Sequence, residues 1–429
     1  MYETPLTALV LSGGGARAAY QVGVLRAIAK LRRERLRHLA RLSNPFGVIV
    51  GTSAGAINAA ALACQADRFD AAVDVLSKVW HEFRAEQVYR ADSLGVIRSG
   101  AQWLTMLSLG WAIRRWRKQR PRSLLNNQPL AELLQRLVPL ERLPKMLTQG
   151  HLHALAVTAS HYGSGEHVTF YSAAKPVQPW LRSQRIAAPS PITHQHLLAS
   201  SAIPFMFPAA RISHAGQAAW YGDGAMRQTA PLSPAIHLGA ERLLIIGVGR
   251  QHDAPAQPVA DDAYPSLAQI AGHAMASIFL DALGVDIERM QRINRTLALL
   301  PESARHDTPL RPLESLIISP SQRLDDIAAR HLSSLPMAVR GLLRGMGVGE
   351  QAGGMRGSAL ASYLLFEAPY TRELMALGEA DTLARRDEVL QFFAWPAMLQ
   401  PAPPPPATPD ALQDATRQLL FSRPDILLP

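Results

Sequence analysis

Phe46-Gly47-Val48-Ile49-Val50-Gly51-Thr52-Ser53-Ala54-Gly55 runs an apolar segment directly into a serine held between small residues. Val48–Val50 reads as a buried strand and the alanine-rich stretch Ala54–Cys64 as the helix after it. A serine at so sharp a turn projects its hydroxyl above the sheet edge, and glycines at Gly51 and Gly55 relieve the crowding. Ser53 is therefore a candidate nucleophile, although the five-residue pattern is common by chance. Upstream, Thr7–Ser12 reads as another buried strand, followed by Gly13-Gly14-Gly15-Ala16-Arg17 and a helix over Ala18–Leu39. Two strand–turn–helix units, one with a serine and one with bare backbone amides, suggest a nucleophile and its oxyanion hole.

Repetition of this β-turn-α unit argues for an α/β fold with a mostly parallel sheet covered by helices. Further strands are expected at Leu155–Ala159, Val168–Tyr171, Trp220–Gly222 and Leu243–Val248. The last is a continuous apolar run, as at the centre of a parallel sheet. From Pro265 the pattern turns helical, over Leu267–Leu299, Pro336–Met346 and Ser358–Leu377, with one short strand-like run at Leu316–Ile318. Pro401–Pro406 cannot continue a helix and starts an extended tail. The expected division is 6–250 for the catalytic domain, 255–400 for a mainly helical C-terminal extension packed on it, and 401–429 for a Pro-rich tail.

The chain has 429 residues, 48% of them hydrophobic and 18% charged, which suits a globular protein with a large core. The net charge is +10, and it is concentrated at the start: residues 1–130 hold 19 Lys+Arg against 8 Asp+Glu. Such a surplus fits an anionic partner or simply a solvated basic face. Within it, Trp103, Trp111 and Trp116 merge with Arg114, Arg115 and Arg117, a combination suited to a helix at an anionic lipid surface or to a lid over the core. The single cysteine, Cys64, excludes an intramolecular disulfide and a multi-cysteine metal site. Met1-Tyr2-Glu3-Thr4-Pro5 lacks the basic start of a signal peptide, and no 18-residue apolar run suggests a spanning helix. The expectation is a cytoplasmic protein, peripheral at the inner membrane surface, with no nucleic-acid partner.

A serine hydroxyl needs a base. Asp223, in Tyr221-Gly222-Asp223-Gly224-Ala225, ends a strand-like segment between glycines, where α/β folds place functional groups. An Asp-Gly pair is also an ordinary hairpin signal. His237, His252 and His273 follow it, in the order a Ser-Asp-His triad would need, but none sits in a comparable turn. The alternating pairs His151/His153 and His194/His196 lack further metal-ligand patterning.

Taken together, these motifs resemble the patatin-like phospholipases. Gly13-Gly14-Gly15-Ala16-Arg17 resembles the family's oxyanion turn, Gly51–Gly55 its G-x-S-x-G elbow, and Asp223-Gly224-Ala225 its distal D-G-[AG]. Ala199-Ser200-Ser201-Ala202-Ile203-Pro204-Phe205-Met206-Phe207-Pro208 resembles the block preceding that aspartate. The resemblance implies a three-layer α/β/α sandwich and a serine acyl hydrolase of lipid esters, of phospholipase, lysophospholipase or lipase type. It implies a dyad of Ser53 and Asp223, without metal or organic cofactor. It also implies an oxyanion and substrate site at Gly13, Gly14 and Gly15, with Arg17 either holding the turn or meeting a substrate phosphate. One residue departs from the pattern: the turn usually closes on a glycine where this chain has Ala18, and a positive φ there would strain it.

Two other readings stand beside this one. Gly13–Ala18 satisfies the dinucleotide fingerprint G-x-G-x-x-[GA], although the next strand, ending at Val50, leads into Gly51 rather than an acidic ribose-binding residue. A catalytically silent relative that docks on membranes or proteins would use the basic N-terminal part. Lipid class and oligomeric state are not legible in the residues.

Overall fold

The computed structural model describes residues 5–37, 44–90, 123–250, 266–305, 307–351, 354–356 and 358–395. Trp103, Trp111, Arg114, Arg115, Trp116 and Arg117, together with His252 and the tail from Pro401, lie outside the described residues.

A 10-stranded mixed sheet forms the centre. Its strands are β1 (Thr7–Leu11), β2 (Val48–Thr52), β3 (Ala154–His161), β4 (His167–Ala173), β5 (Leu181–Arg182), β6 (Arg185–Pro189), β7 (Ala210–His214), β8 (Gln217–Asp223), β9 (Arg242–Ile246) and β10 (Glu314–Ile318). The main order is β10-β9-β1-β2-β3-β4-β6-β5, and β10, β9, β1, β2 and β3 all run parallel. β1 and β2 are buried on both faces, which is why their sequences are apolar runs rather than alternations.

Alternate residues of these strands feed two cores. Leu9, Leu11 and Ile49 pack with helices α1 (Ala19–Arg35), α2 (Ala54–Ala63) and α3 (Phe69–His81). Ala8, Val10, Val48 and Val50 pack on the other face with Leu232, Ala235, Leu283 and Ile287. The result is the expected three-layer sandwich with a mostly parallel sheet. Cys64 is fully buried at the end of α2, and burial pushes its thiol up to about 12.

The C-terminal region is more than a layer of helices. The run anticipated at Leu316–Ile318 is β10, an edge strand that extends the central sheet beside β9. The single helix expected over Ser358–Leu377 is two, Ser358–Leu364 and Ala368–Ala384. Pro369 sits in the first turn of the second, where its missing N–H costs nothing, and the residue before a proline disfavours helical dihedrals. The second of these helices lies against α1, where Tyr20 donates to Asp381 at 2.9 Å.

Leu267–Leu299 is long and apolar enough to cross a membrane by length and composition. It is interrupted by a π-helical turn at Ser277–Asp281. Leu283, Ile287 and Met290 pack it onto the sheet, and buried Asp286 accepts from the Leu232 amide at 2.9 Å.

Candidate active site

Ser53 links β2 to α2 with φ 57 and ψ −131, a conformation few non-glycine residues adopt. Holding it costs roughly 1–3 kcal/mol, which the surrounding structure must impose. Part of that restraint is visible. The Ser53 amide donates to Ser200 Oγ at 2.9 Å, and Thr52 Oγ1 sits between Thr158 Oγ1 at 2.7 Å and Gln228 Nε2 at 2.9 Å. Gly51 and Gly55 have ordinary dihedrals, and their role is close approach. A Cβ on Gly51 would lie 2.4 Å from the Gly55 carbonyl oxygen, so α2 crosses directly over the end of β2.

Asp223 ends β8 and caps the short turn Gly224–Arg227, with Oδ1 accepting from the Ala225 amide at 2.9 Å. Its Oδ2 accepts from Ser53 Oγ at 2.6 Å. Both side chains are fully buried. Burial without a cationic partner pushes the Asp223 carboxyl up to about 7, against the smaller lowering effects of its two hydrogen bonds. Its own amide donates to the Ala202 carbonyl at 3.1 Å. The Ala199–Pro208 block therefore holds the backbone of both residues, Ser200 through the Ser53 amide and Ala202 through the Asp223 amide. In the sequence Ser200 is only one residue of a motif, and its task is visible only in space.

The glycine turn lies beside Ser53. A Cβ on Gly13 would be 3.0 Å from Ser53 Cβ and 3.1 Å from Phe279, which the π-helical turn carries. Gly15 has φ +55, and a Cβ there would lie 2.3 Å from the Tyr363 carbonyl oxygen. Any larger residue at Gly15 would meet both a strained backbone and a wall. Among the described residues, the buried amides of Gly13, Gly14 and Gly15 have no acceptor. Buried unpaired donors are costly, and three together at a helix N-terminus form an electropositive socket.

Ala18 has φ −64 and ψ −10, ordinary helical values. The methyl is accommodated, and the strain that a positive φ would bring does not arise. Arg17 is buried and bound by the C-terminal region. It pairs with Asp325, donates to Ser362 Oγ at 2.8 Å and lies 4.1 Å over the Tyr363 ring. Of the two roles open to it, holding the turn is the one these contacts serve.

Among the described residues, no histidine hydrogen-bonds to Ser53 or Asp223. His237 stacks on Trp180 with ring centroids 4.7 Å apart. His194 contacts the Val138 carbonyl at 3.0 Å, and His196 is held by Thr193. No group of three or more metal-binding side chains occurs among the described residues.

An apolar cavity of about 60 Å³ runs from Ser53 along α2. Ala54, Ile57 and Ala61 form one wall, and Trp80, Leu133 and Phe366 stand among the others. Phe366 arrives there because of the break before Pro369. Apart from Ser53 and Ser201 the lining side chains are apolar.

The sequence model described as patatin-like phospholipase matches residues 9–236. No curated protein matches the chain. Among solved structures, VipD from Legionella pneumophila is 13% identical, with 87% of this chain and 67% of that chain covered and a TM-score of 0.26. ExoU in the ExoU-SpcU complex of the Pseudomonas aeruginosa type III secretion system is 15% identical, with 98% and 84% covered and a TM-score of 0.26. The type III effector ExoU alone gives 16% identity, 96% and 93% coverage and a TM-score of 0.27.

Proposed function

The chain belongs to the patatin-like phospholipase family, and from that premise we propose that it is a serine acyl hydrolase cleaving carboxylic ester bonds of lipids through Ser53 and Asp223. The observation that carries this reading is the 2.6 Å hydrogen bond between Ser53 Oγ, which lines an apolar cavity, and a buried carboxylate.

Ionised Asp223 accepts the Ser53 proton as Oγ attacks the ester carbonyl carbon. Charge then develops on the carbonyl oxygen, and the unpaired amides of Gly13, Gly14 and Gly15 supply donors for it. One such donor is worth on the order of 3 kcal/mol in the transition state. Collapse of the tetrahedral intermediate breaks the ester C–O bond, and the leaving alcohol takes the proton from Asp223. Water then attacks the acyl-enzyme with Asp223 again as base, releasing the fatty acid and regenerating Ser53. The cavity along α2 buries the acyl chain, where apolar surface contributes roughly 25 cal/mol per Å². The Trp103–Arg117 segment, with its tryptophans beside arginines, suits attachment of this site to an anionic lipid surface.

A lipid-class screen run beside Ser53→Ala tests the reading, with a fluorophosphonate to label the serine. The expected result is label and ester hydrolysis in the wild type and neither in Ser53→Ala. Hydrolysis that survives Ser53→Ala overturns it. Vesicle activity indifferent to anionic lipid content and to salt overturns the membrane assignment alone. Liposome binding without serine reactivity would instead support a silent docking protein.

A further inference from the structure

Three buried side chains outside the dyad form a continuous hydrogen-bonded line between the acyl cavity and the glycine turn. Trp80, on the cavity wall, donates from Nε1 to Asn58 Oδ1 at 3.0 Å. Asn58 Nδ2 donates to Gln21 Oε1 at 3.1 Å, and Gln21 Nε2 donates to the Ser12 carbonyl at 2.8 Å. Gln21 and Asn58 are completely buried, so water does not substitute for any partner in the line. Its polarity is fixed at both ends, and Asn58 Nδ2 also donates to the Ala18 carbonyl at 3.4 Å. An indole N–H is a donor only, so it turns the oxygen of Asn58 toward itself and the amide nitrogen away. That nitrogen in turn selects the oxygen of Gln21, which leaves the Gln21 NH₂ facing Ser12.

Ser12 immediately precedes the glycine turn. Its peptide bond to Gly13 is trans, so the Gly13 N–H points opposite to the Ser12 carbonyl. Fixing that carbonyl fixes the direction of the first amide in the turn. The carbonyl lies close under the serine elbow, since a Cβ on Gly55 would be 2.6 Å from it. On its other side Ser12 is held to β9, with Oγ donating to the Ile246 carbonyl at 3.3 Å.

We infer that Gln21 and Asn58 are positioning residues for the oxyanion hole: the Trp80–Asn58–Gln21 line aims the Gly13 amide and ties its setting to the wall of the acyl cavity. This rests on the proposed hydrolase reading and extends it. Gln21 and Asn58 touch neither dyad member through a hydrogen bond, so their effect is on the direction of donors rather than on the nucleophile. A rotated donor loses part of the hundredfold to thousandfold that an intact one supplies.

The test uses the full chain with Gln21→Met and Asn58→Leu, which remove the amides at similar volume. Their kcat on a soluble ester should fall about 10- to 100-fold at little changed KM. A trifluoromethyl ketone, which forms a tetrahedral oxyanion adduct on serine, should lose affinity by the same factor. A non-reactive ether analogue of the ester should bind as before, and a merely structural defect would weaken both ligands. The double variant should lose no more than Gln21→Met, because the two act in series. If Gln21→Met does not fold, Trp80→Phe carries the same comparison, since it removes one N–H and keeps an aromatic ring, with a smaller loss expected. Unchanged kcat and ketone affinity in folded variants overturns the inference. Hydrolysis that persists in Ser53→Ala overturns the hydrolase reading instead, so the two failures are distinct.

Discussion

Ser53 and Asp223 meet because β2 and β8 run in opposite directions and stop at neighbouring positions along β3. Thr52 is the last residue of β2 and pairs with Thr158, while Asp223 is the last of β8 and pairs with Ala159. The chain turns into α2 at the next residue, so the hydroxyl and the carboxylate face each other across a single register step. Rigid backbone pairing, rather than a flexible loop, sets the 2.6 Å separation.

The dyad should titrate. Burial holds the Asp223 carboxyl up at about 7, and only its ionised form can take the serine proton. The rate kcat/KM on a soluble ester should therefore rise with pH through about 7 and level off above it. A profile that stays flat down to pH 5 would contradict this.

The same burial is a cost to the fold. An unfolded aspartate ionises near 3.9, whereas Asp223 keeps its proton until about 7. Between these values the folded state binds more protons than the unfolded one, so this group's contribution falls as pH rises through the window. Asp223→Asn should abolish hydrolysis yet melt above the wild type at pH 8, by a margin on the order of 4 kcal/mol at most. The margin should shrink toward pH 4. Equal melting temperatures at pH 8 would refute it.

Ser200→Ala removes the acceptor for the amide of the strained Ser53. A buried donor left unpaired costs about 1–3 kcal/mol. Denaturant unfolding should show that loss, with kcat reduced because the elbow is less restrained. Stability within 0.5 kcal/mol of wild type, about the scatter of neutral surface changes, would count against the assignment.

Arg17 and Asp325 bind the glycine turn to the C-terminal region. Arg17→Ala leaves Asp325 without its buried partner, and Asp325→Ala leaves the nearly inaccessible guanidinium uncompensated. Each should destabilise by about 3–5 kcal/mol, and the double variant by much less than their sum. Urea titrations of the four proteins measure the coupling, and strict additivity would show that the pair does not act as one.

Ala61 lines the cavity eight residues after Ser53 on α2, about 12 Å along the helix axis. Ala61→Phe should raise KM for long-chain esters severalfold while sparing a butyrate ester. Equal effects on both chain lengths would place the acyl chain elsewhere.

Much of this site could be read from the residues. The apolar runs at β1 and β2 announce strands buried on both faces, and a glycine-flanked serine after one of them announces an elbow, because both signals are local in the chain. The elements that the sequence left indistinct depend on distant partners. Leu316–Ile318 is a sheet strand only because β9 offers it an edge, and the break at Leu365–Glu367 matters only because Phe366 lines the apolar cavity. Ser200, Gln21 and Asn58 are ordinary polar residues until burial removes water as a partner.

The strand–turn–helix units, the candidate nucleophile and the glycine turn are legible in the residues, since short-range sterics and apolar periodicity are written locally. That Asp223 rather than a histidine meets Ser53 is fixed by packing across the sheet. The backbone shows that Ala18 is harmless, and the contacts of Arg17 show that it holds the turn from the C-terminal side. Those outcomes follow from strand register, backbone dihedrals and burial, which arise when residues far apart in the chain are packed together.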